Sequence, residues 1–290
     1  MSASSSDLMR GRVCLVTGGT SGIGKATALG LARLGATVAV VGRDAGRGAA
    51  AVDEVRTASG NPDVELLVAD LAVQSSVRDL AARVLDRYSV VHVLVNNAGV
   101  SLSARSVTPD GVETTFAVNH LAPFLLTNLV LDALRSAAPS RVVTVTSTAF
   151  RQARIRFDDL QGERRFRGIR AYNQSKLANV LFTLELAGRL EGSGVTANCV
   201  HPGVVRSELG HESRLFRAVT GLIGPFLATP EEGARTSVHV ASAPELEAVT
   251  GRFFRNSQEA PLPAHARDPA VAAQLWQVSE QLTALPRPTD

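Results

Sequence analysis

Residues 12–43 read RVCLVTGGTSGIGKATALGLARLGATVAVVGR, and their pattern decides the fold class. Two apolar, β-branched runs at 12–16 and 37–41 predict buried strands. The stretch between them, 23–34, has the period of an amphipathic helix, and Gly35 is a helix stop signal. A strand, a glycine-rich turn, a helix and a second strand predict a βαβ unit whose strands run parallel.

The same alternation continues along the chain and predicts one α/β domain. It indicates further strands at 64–69, 91–96, 141–146, 195–200 and 252–254, and helices at 49–58, 75–88, 111–137 and 172–190, with a last helix opened by Asp268 and Pro269. We therefore expect a Rossmann-type doubly wound parallel sheet, a single domain over 11–285, behind a disordered tail over 1–10.

The turn at 17–24, TGGTSGIG, follows the first strand and opens the first helix. Glycines allow backbone amides to approach a pyrophosphate closely, and the helix N-terminus adds a favourable dipole. A glycine-rich string alone also occurs in ordinary turns, but the strand–turn–helix context predicts a dinucleotide site.

The end of the second strand bears on which dinucleotide binds. Folds that bind NAD usually place Asp or Glu there for the ribose 2′-hydroxyl, whereas this chain has Gly42 and then Arg43. A guanidinium can pair bidentately with a 2′-phosphate, so the sequence favours NADP(H), with NAD(H) as the weaker alternative. Asp44 leaves two alternatives open, a ribose contact or the cap of the following helix.

Composition excludes several other classes of function. The 290 residues carry a net charge of +3, and their basic residues are dispersed, so no nucleic-acid partner is expected. No run of about 20 apolar residues occurs, so no membrane span is expected. The polar start lacks the apolar core of a signal peptide, and two isolated cysteines suggest a cytoplasmic protein. No Cys/His cluster has metal-ligand spacing.

The stretch YNQSK at 172–176 holds one of the chain's two tyrosines and one of its two lysines, against 28 arginines. A spacing of four on a helix puts Tyr172 and Lys176 on one face. A nearby ammonium favours the phenolate and is expected to lower the pKa of the phenol, which would suit it to proton transfer. The alternative is an accidental pair on a surface helix.

Several motifs together make the chain resemble the short-chain dehydrogenase/reductase family, in its retinol-dehydrogenase-like branch. They are TGGTSGIG (17–24), Asp70 with Leu71, NNAG (96–99), Asn119, Ser147, YNQSK (172–176) and HPG (201–203), and the branch is suggested by VNHLAPFLLT, AYNQSKLANVLFTLEL, HPGVVRSEL and LWQVSEQL. The resemblance covers nearly the whole chain and implies the same fold as the periodicity does.

The resemblance also implies which residues form the site. The catalytic set would be Asn119, Ser147, Tyr172 and Lys176. The cofactor would be bound by Gly18, Ser21, Gly22, Ile23, Gly24, Arg43, Asp70, Leu71, Asn97, Ala98, Gly99, Tyr172, Lys176, Pro202, Gly203, Val204 and Ser207.

Individual roles follow from the same resemblance. Ser147 would hold the substrate oxygen, Lys176 would hold the nicotinamide ribose, Asn119 would anchor a water, and Asp70 would meet the adenine. Ser147 could instead be a satisfied strand-end hydroxyl, and Asn119 could simply bond the backbone. His201 is a tempting acid, but the family uses its tyrosine.

The function expected from these residues is NADP(H)-dependent interconversion of an alcohol and a ketone or aldehyde, which makes the chain a dehydrogenase or carbonyl reductase. The apolar loop at about 207–229 suggests a lid over a lipophilic substrate, although a plain surface excursion fits as well. Reduction of a C=C bond and a non-catalytic NADP(H) sensor are the alternatives. The expected partner is a small-molecule substrate. The oligomeric state stays open, and a homodimer of the kind that many relatives form is one alternative.

Two details outside the motifs carry expectations. The insert at 150–170 has seven arginines against three acids, which suggests an anionic or bulky substrate, with a solvated loop as the alternative. If so, neutralising Arg164, Arg165 and Arg167 should raise the substrate KM. By resemblance, Cys14 and Cys199 lie on strands separated by two others, about 14 Å apart, so both thiols are expected to be free.

Overall fold

A central sheet organises the part of the chain that the computed structural model describes, residues 7–203 and 228–285. Its strands are β1 Val13–Thr17, β2 Thr37–Gly42, β3 Val64–Val68, β4 Val93–Asn96, β5 Ser140–Val145, β6 Val195–His201, β7 Phe253–Arg255 and β8 Gln258–Glu259. Most of their residues are buried and many are β-branched, as expected where helices cover both faces of a sheet.

The strand order is β3-β2-β1-β4-β5-β6-β7-β8. Strands β1 to β7 are parallel, and only β8 runs antiparallel, paired with β7. The order reverses between β1 and β4, which is the switch point where open α/β sheets bind ligands at the carboxyl ends of their strands. The predicted fold class, a single α/β domain with a doubly wound, mostly parallel sheet, is confirmed.

Helices cover the two faces of this sheet. They are α1 Gly22–Arg33, α2 Ala45–Ser59, α3 Gln74–Arg87, α4 Thr114–Phe116, α5 Ala122–Leu129, α6 Leu131–Ser136, α7 Gly168–Arg189, α8 Pro230–Ser242 and α9 Pro269–Thr283. One core lies under α1, α2 and α8, and another under α3, α5 and α7. A third core joins α4, α7 and α9 to β7.

The structure corrects two helix predictions. The helix expected over 111–137 begins only at Thr114, because Gly111 closes a turn and Glu113 caps the next three residues. Helix α8 was missed, although its start carries a recognisable signal: Thr229 and Glu232 form a reciprocal capping box. The helix was not predicted because Thr229, its N-cap, had been assigned to the end of the loop over 207–229.

Part of the segment that was predicted to be a tail has a defined structure. Residues 7–10, which the sequence analysis assigned to the disordered tail, form a turn in which Met9 is buried. The Met9 N–H donates to the Leu34 carbonyl at 2.8 Å, so this turn is fixed to the end of α1.

The prediction for the two cysteines is confirmed. Cys14 lies on β1 and Cys199 on β6, with β4 and β5 between them. Both thiols are free and buried, and burial raises the pKa of each to about 12. Both therefore remain protonated, apolar core residues at neutral pH.

Candidate active site

The predicted site residues meet at the carboxyl edge of the sheet. The glycine turn follows β1, Asn97 to Gly99 follow β4, Ser147 follows β5, Pro202 and Gly203 follow β6, and α7 carries Tyr172 and Lys176. Val204, Ser207 and nearly all of the predicted substrate loop lie outside the described residues. Among the described residues, no group of three or more His, Cys, Asp or Glu side chains could hold a metal ion.

The glycine turn is held in shape by Asn97. Its Nδ2 donates to the carbonyls of Thr17 at 2.9 Å and Gly18 at 3.2 Å. Gly18 and Gly22 adopt φ of 64° and 50°, a left-handed conformation that glycine takes without strain. The side chain of Asn97 therefore fixes the turn from the neighbouring strand end.

Helix α1 offers its first amides to an anion. Ser21 occupies the N-cap position, and no described side chain caps the helix. These amides and the helix dipole suit a pyrophosphate, and a glycine turn brings the backbone close to it. The residues present thus fit a dinucleotide.

Gly24 lies where the turn is packed too tightly for a side chain. A Cβ on Gly24 would lie 2.1 Å from the Gly18 carbonyl oxygen and 2.4 Å from Asn97 Nδ2. We expect Gly24→Ala to lower the free energy of unfolding by about 2–4 kcal/mol in urea denaturation, because backbone cannot move aside cheaply. Gly188→Ala is the matched control, since its Cβ meets nothing within 4 Å in helix α7. It should stabilise by about 0.5–1 kcal/mol. Equal effects of the two changes would contradict this packing.

Arg43 and Asp44, the two residues at the end of β2 that could contact the cofactor, have different surroundings in the structure. Asp44 is the N-cap of α2, and its side chain accepts the Arg47 N–H at 2.8 Å. This hydrogen bond is the main reason why the pKa of Asp44 lies below its ordinary value. Arg43 is exposed beside it. Of the two alternatives that the sequence left open for Asp44, helix capping is the one observed.

Asp70 and Leu71 form the turn after β3. The Asp70 carboxylate accepts the Ala72 N–H at 2.9 Å, and its own N–H donates to Ser76 Oγ at 2.9 Å. Leu71 packs against the core. The predicted adenine contacts therefore belong to a turn that hydrogen bonds hold in place.

Lys176 is a buried cation on the third turn of α7. Its side chain is 4% exposed, and Nζ donates to the Val145 carbonyl at 3.2 Å. No described carboxylate lies within 4.0 Å of it. Burial lowers its pKa to about 8. Such an unpaired buried charge is costly, and costly groups cluster at functional sites.

Tyr172 does not have the lowered pKa that its spacing from Lys176 predicted. Burial raises the pKa of the phenol, and the Ser147 hydroxyl opposes that effect only in part. Lys176 Nζ lies 5.6 Å from the centre of the Tyr172 ring and hydrogen-bonds Val145 instead. Desolvation thus sets the direction of the shift in pKa, and the phenol is protonated at pH 7.

Asn119 lies in a π-helical turn, Ala117–Leu121, between α4 and α5. Its Nδ2 donates to the Val100 carbonyl and to Ser175 Oγ, both at 2.9 Å, and its Oδ1 accepts the Val100 N–H at 2.7 Å. A Cβ on Gly99 would lie 3.4 Å from both Asn119 Oδ1 and Lys176 Nζ. Asn119 therefore joins the strand-end loop to the catalytic helix, and π turns are frequent at functional sites.

Comparison with known proteins decides the family. Residues 12–218 match the model of the short chain dehydrogenases. The chain belongs to the short-chain dehydrogenase family. It is 45% identical to retinol dehydrogenase 12 of Mus musculus over 272 residues, 94% of this chain and 86% of that protein.

Solved structures agree with this assignment. An uncharacterised protein from Mycobacterium paratuberculosis is 36% identical, with a TM-score of 0.79 over 97% of this chain and 96% of that one. A short chain dehydrogenase from Burkholderia cenocepacia, solved in complex with NADP, is 27% identical, with a TM-score of 0.69 over 85% and 96%. As a short-chain dehydrogenase, the chain is an NAD(P)(H)-using oxidoreductase that acts on a small molecule. The described residues include no helix that meets the length and apolarity needed to cross a bilayer.

Two residues of this short-chain dehydrogenase lie inside the quoted YNQSK motif and were missed as functional candidates. Ser175 accepts from Asn119 and donates to the Tyr172 carbonyl at 2.7 Å. Gln174 accepts the Arg156 N–H at 3.0 Å and donates to the Leu160 carbonyl at 2.8 Å. Both side chains are buried. Their place between Tyr172 and Lys176 on one helix was the sequence feature that could have identified them.

His201 is a neutral core residue in this short-chain dehydrogenase. Its side chain is 4% exposed at the end of β6, and burial together with Arg255 and Arg151 lowers its pKa to about 4. A neutral imidazole at pH 7 is a poor acid, which agrees with the expectation that a tyrosine takes that role.

The arginine-rich insert folds against the catalytic helix. It contains the 3₁₀ helices Thr148–Gln152 and Phe157–Asp159, and Gln174 fastens its middle to α7. Arg164 pairs with Asp158 at 3.8 Å on the surface, and Arg105 donates to the Gln161 carbonyl at 3.0 Å. Its effect on substrate choice stays a prediction.

Proposed function

We propose that this short-chain dehydrogenase is an NADP(H)-dependent enzyme that interconverts a lipophilic alcohol and its ketone or aldehyde. The observation that carries the proposal is the arrangement of Tyr172, Ser147 and Lys176. A protonated, largely buried phenol lies within reach of a hydroxyl and beside a buried ammonium at the carboxyl edge of the sheet. These groups together suit proton transfer at a carbonyl oxygen.

Each residue has a role that its contacts support. A bound nicotinamide cofactor supplies or accepts the hydride. The Tyr172 hydroxyl gives its proton to the new alkoxide during reduction, and in the reverse direction its phenolate form takes the proton of the alcohol. The Ser147 hydroxyl, which accepts the Ala149 N–H at 3.3 Å, orients the substrate oxygen toward that phenol.

Lys176 and Asn119 would act around the reacting groups. The ammonium of Lys176 can hold the nicotinamide ribose, and its charge favours the phenolate that forms as Tyr172 loses its proton. Asn119, fixed by Val100 and Ser175, holds the backbone of the cofactor cleft beside Lys176. A water anchored there would return a proton to the Lys176 amine after the ammonium has passed one to the Tyr172 oxygen.

Support for a lipophilic substrate comes from the relatives. The chain is 44–46% identical to several proteins that are named retinol dehydrogenases. Retinol is an apolar alcohol, so we propose that the substrate is an apolar alcohol or carbonyl compound. The proposal does not name retinol as that substrate.

Arg43 should determine the preference for NADPH. We expect the protein to bind NADPH at least about tenfold more tightly than NADH in a fluorescence titration. Arg43→Ala should remove most of this difference, because a guanidinium–phosphate pair is a strong charge-assisted contact. Affinity for NADH should change less than about threefold.

Arg33→Ala is the matched control for this titration, since Arg33 is an exposed arginine at the C-terminal end of α1, away from the glycine turn. It should leave both affinities unchanged within about twofold. Tighter binding of NADH by the wild type would contradict the assigned role of Arg43.

Two other functions use the same cofactor site. A C=C reductase would give a saturated carbonyl as its product, whereas the proposed enzyme gives an alcohol. A non-catalytic sensor would bind NADPH without turnover, and it has no need of a buried lysine beside a protonated phenol. The contacts of Tyr172 and Lys176 favour the enzyme that reduces carbonyls.

A further inference from the structure

A second cavity lies at the opposite edge of the sheet from the cofactor cleft. We name it the basal cavity and define it by Arg12, His92, Arg141, Leu8, Val93 and Pro244. Its volume is about 220 Å³. Strands β1, β4 and β5, which run between the two edges, are four to six residues long, so at about 3.3 Å per residue the two sites are about 13–20 Å apart.

Basic residues enter the basal cavity from three adjacent strands. Arg12 precedes β1, His92 precedes β4, and Arg141 is the second residue of β5. Val93 is in register with Cys14 on one side and with Arg141 on the other. Side chains that are in register on neighbouring strands point to the same face, and so do Arg12 and Cys14, two apart on one strand. Both arginines therefore lie on the face covered by α1 and α8.

Each guanidinium group is held by one backbone carbonyl. Arg12 reaches across β4 and donates from Nη1 to the Pro139 carbonyl at 3.3 Å, two residues before Arg141. Arg141 donates from Nη1 to the Val240 carbonyl at 3.0 Å. Each guanidinium carries five N–H donors, so most of each fork is left for another acceptor.

The imidazole of His92 adds a neutral donor to the cavity. Its Nδ1 accepts the Val13 N–H at 3.0 Å, which assigns the ring proton to Nε2. Burial and the nearby Arg12 lower the pKa of His92, so this tautomer is the form at neutral pH.

The positive charge of the basal cavity is not balanced by ion pairs. Neither Arg12 nor Arg141 lies within 4.0 Å of a carboxylate in the described chain. Glu247 is part of the cavity wall and is exposed, and Glu245 is exposed nearby, so both lie toward solvent. Burial lowers the pKa of Arg141, and Glu247 opposes this effect more than Arg12 adds to it. A bound anion would offset the cost of burying the guanidinium.

From these contacts we propose that the basal cavity binds a small amphipathic oxyanion, separate from the substrate and cofactor. The carboxylate or phosphate head is held by the guanidinium forks of Arg12 and Arg141 and by His92 Nε2–H. The apolar part lies against Leu8, Val93 and Pro244. Planar forks of this kind match the oxygen geometry of both head groups. The inference does not depend on the function proposed for the carboxyl edge.

Calorimetric titration of the full chain tests the site with three probes: hexanoate, hexyl phosphate and hexanol, at constant ionic strength. We expect saturable binding of hexanoate, hexyl phosphate or both, and none of hexanol, and the head group that binds more tightly identifies the anion class. Arg12→Gln and Arg141→Gln should each weaken that binding at least about fivefold, because each removes a charge-assisted contact.

Arg135→Gln is the matched control, because Arg135 is a surface arginine on α6 that pairs with Asp132. Its binding constants should match the wild type within about twofold. Arg12→Gln provides an independent readout if loss of the Arg141 contact to α8 prevents folding. Three outcomes would overturn the proposal: no saturable binding of either anion, less than fivefold weakening in the folded cavity variants, or the same weakening in Arg135→Gln.

Discussion

Tyr172→Phe should lower kcat for carbonyl reduction by about 10³-fold, because it removes the proton donor while keeping the aromatic ring. General acid catalysis by a positioned side chain contributes about 10²–10⁴-fold. The phenol is protonated at pH 7, since burial raises its pKa, so the wild-type enzyme is ready to act as an acid. The affinity for NADPH should stay within about threefold of the wild-type value, since the ring keeps its place beside Lys176.

The chain offers a matched control for this variant. Tyr88, its other tyrosine, donates its hydroxyl to the Glu65 carboxylate at the end of α3, away from the carboxyl edge. Tyr88→Phe also removes one phenol oxygen and should leave kcat unchanged within about twofold. Steady-state kinetics of both variants at pH 7 make the comparison. Turnover by Tyr172→Phe at more than about a tenth of the wild-type rate would exclude Tyr172 as the acid.

Lys176→Met should give a protein that is much less active but more stable. Its pKa falls from an ordinary 10.5 to about 8 on burial, which corresponds to about 3 kcal/mol at ~1.4 kcal/mol for each pKa unit. The variant loses one hydrogen bond to the Val145 carbonyl, worth ~1 kcal/mol, but Asn179 also donates to that oxygen. We therefore expect the free energy of unfolding at pH 7 to rise by about 1–2 kcal/mol, and kcat to fall at least about 10²-fold.

The pH dependence of this stability difference identifies its cause. Below pH 8 the folded and unfolded wild type both carry the ammonium, so the full cost of burying it is present. Between pH 8 and 10.5 only the unfolded chain holds the proton, so wild-type stability rises with pH and the advantage of the variant shrinks. Above 10.5 the advantage should be gone.

Urea denaturation at pH 7 and near pH 10.5 measures this difference. Lys25→Met is the matched control, because Lys25 pairs with Glu54 on the surface, and it should change stability by less than about 1 kcal/mol at pH 7. A Lys176→Met protein that is less stable than the wild type at pH 7 would show that the buried ammonium is not a net cost.

The order of elements and the place of the glycine turn were predictable because they depend on local patterns. Buried parallel strands are continuous apolar runs, and the run at 12–16 needs only its own residues to be recognised. The position of Tyr172 and Lys176 on one helix follows from their spacing alone. For the same reason, the capping role of Asp44 could be considered in advance, since a cap is a local feature.

The remaining features depend on contacts between distant segments. The π turn at Asn119 is accompanied by its bonds to Val100 and Ser175, 19 and 56 residues away in the chain. The predicted shift of the Tyr172 pKa had the wrong direction. Burial raises this pKa, and burial depends on the packing around α7 and not on the residue at i+4. Arg12 and Arg141 likewise converge only because β4 brings β1 and β5 together.

Transfer of deuterium from NADPH labelled at C4 of the nicotinamide tests the central claim most directly. The purified protein is incubated with this cofactor and a panel of lipophilic aldehydes, ketones and enones, and the products are analysed by mass spectrometry. We predict alcohols with one deuterium on the carbinol carbon, formed by the wild type and not by Tyr172→Phe. Products that keep their carbonyl and carry deuterium on the former C=C bond, or NADPH binding with no labelled product at all, would contradict the assignment.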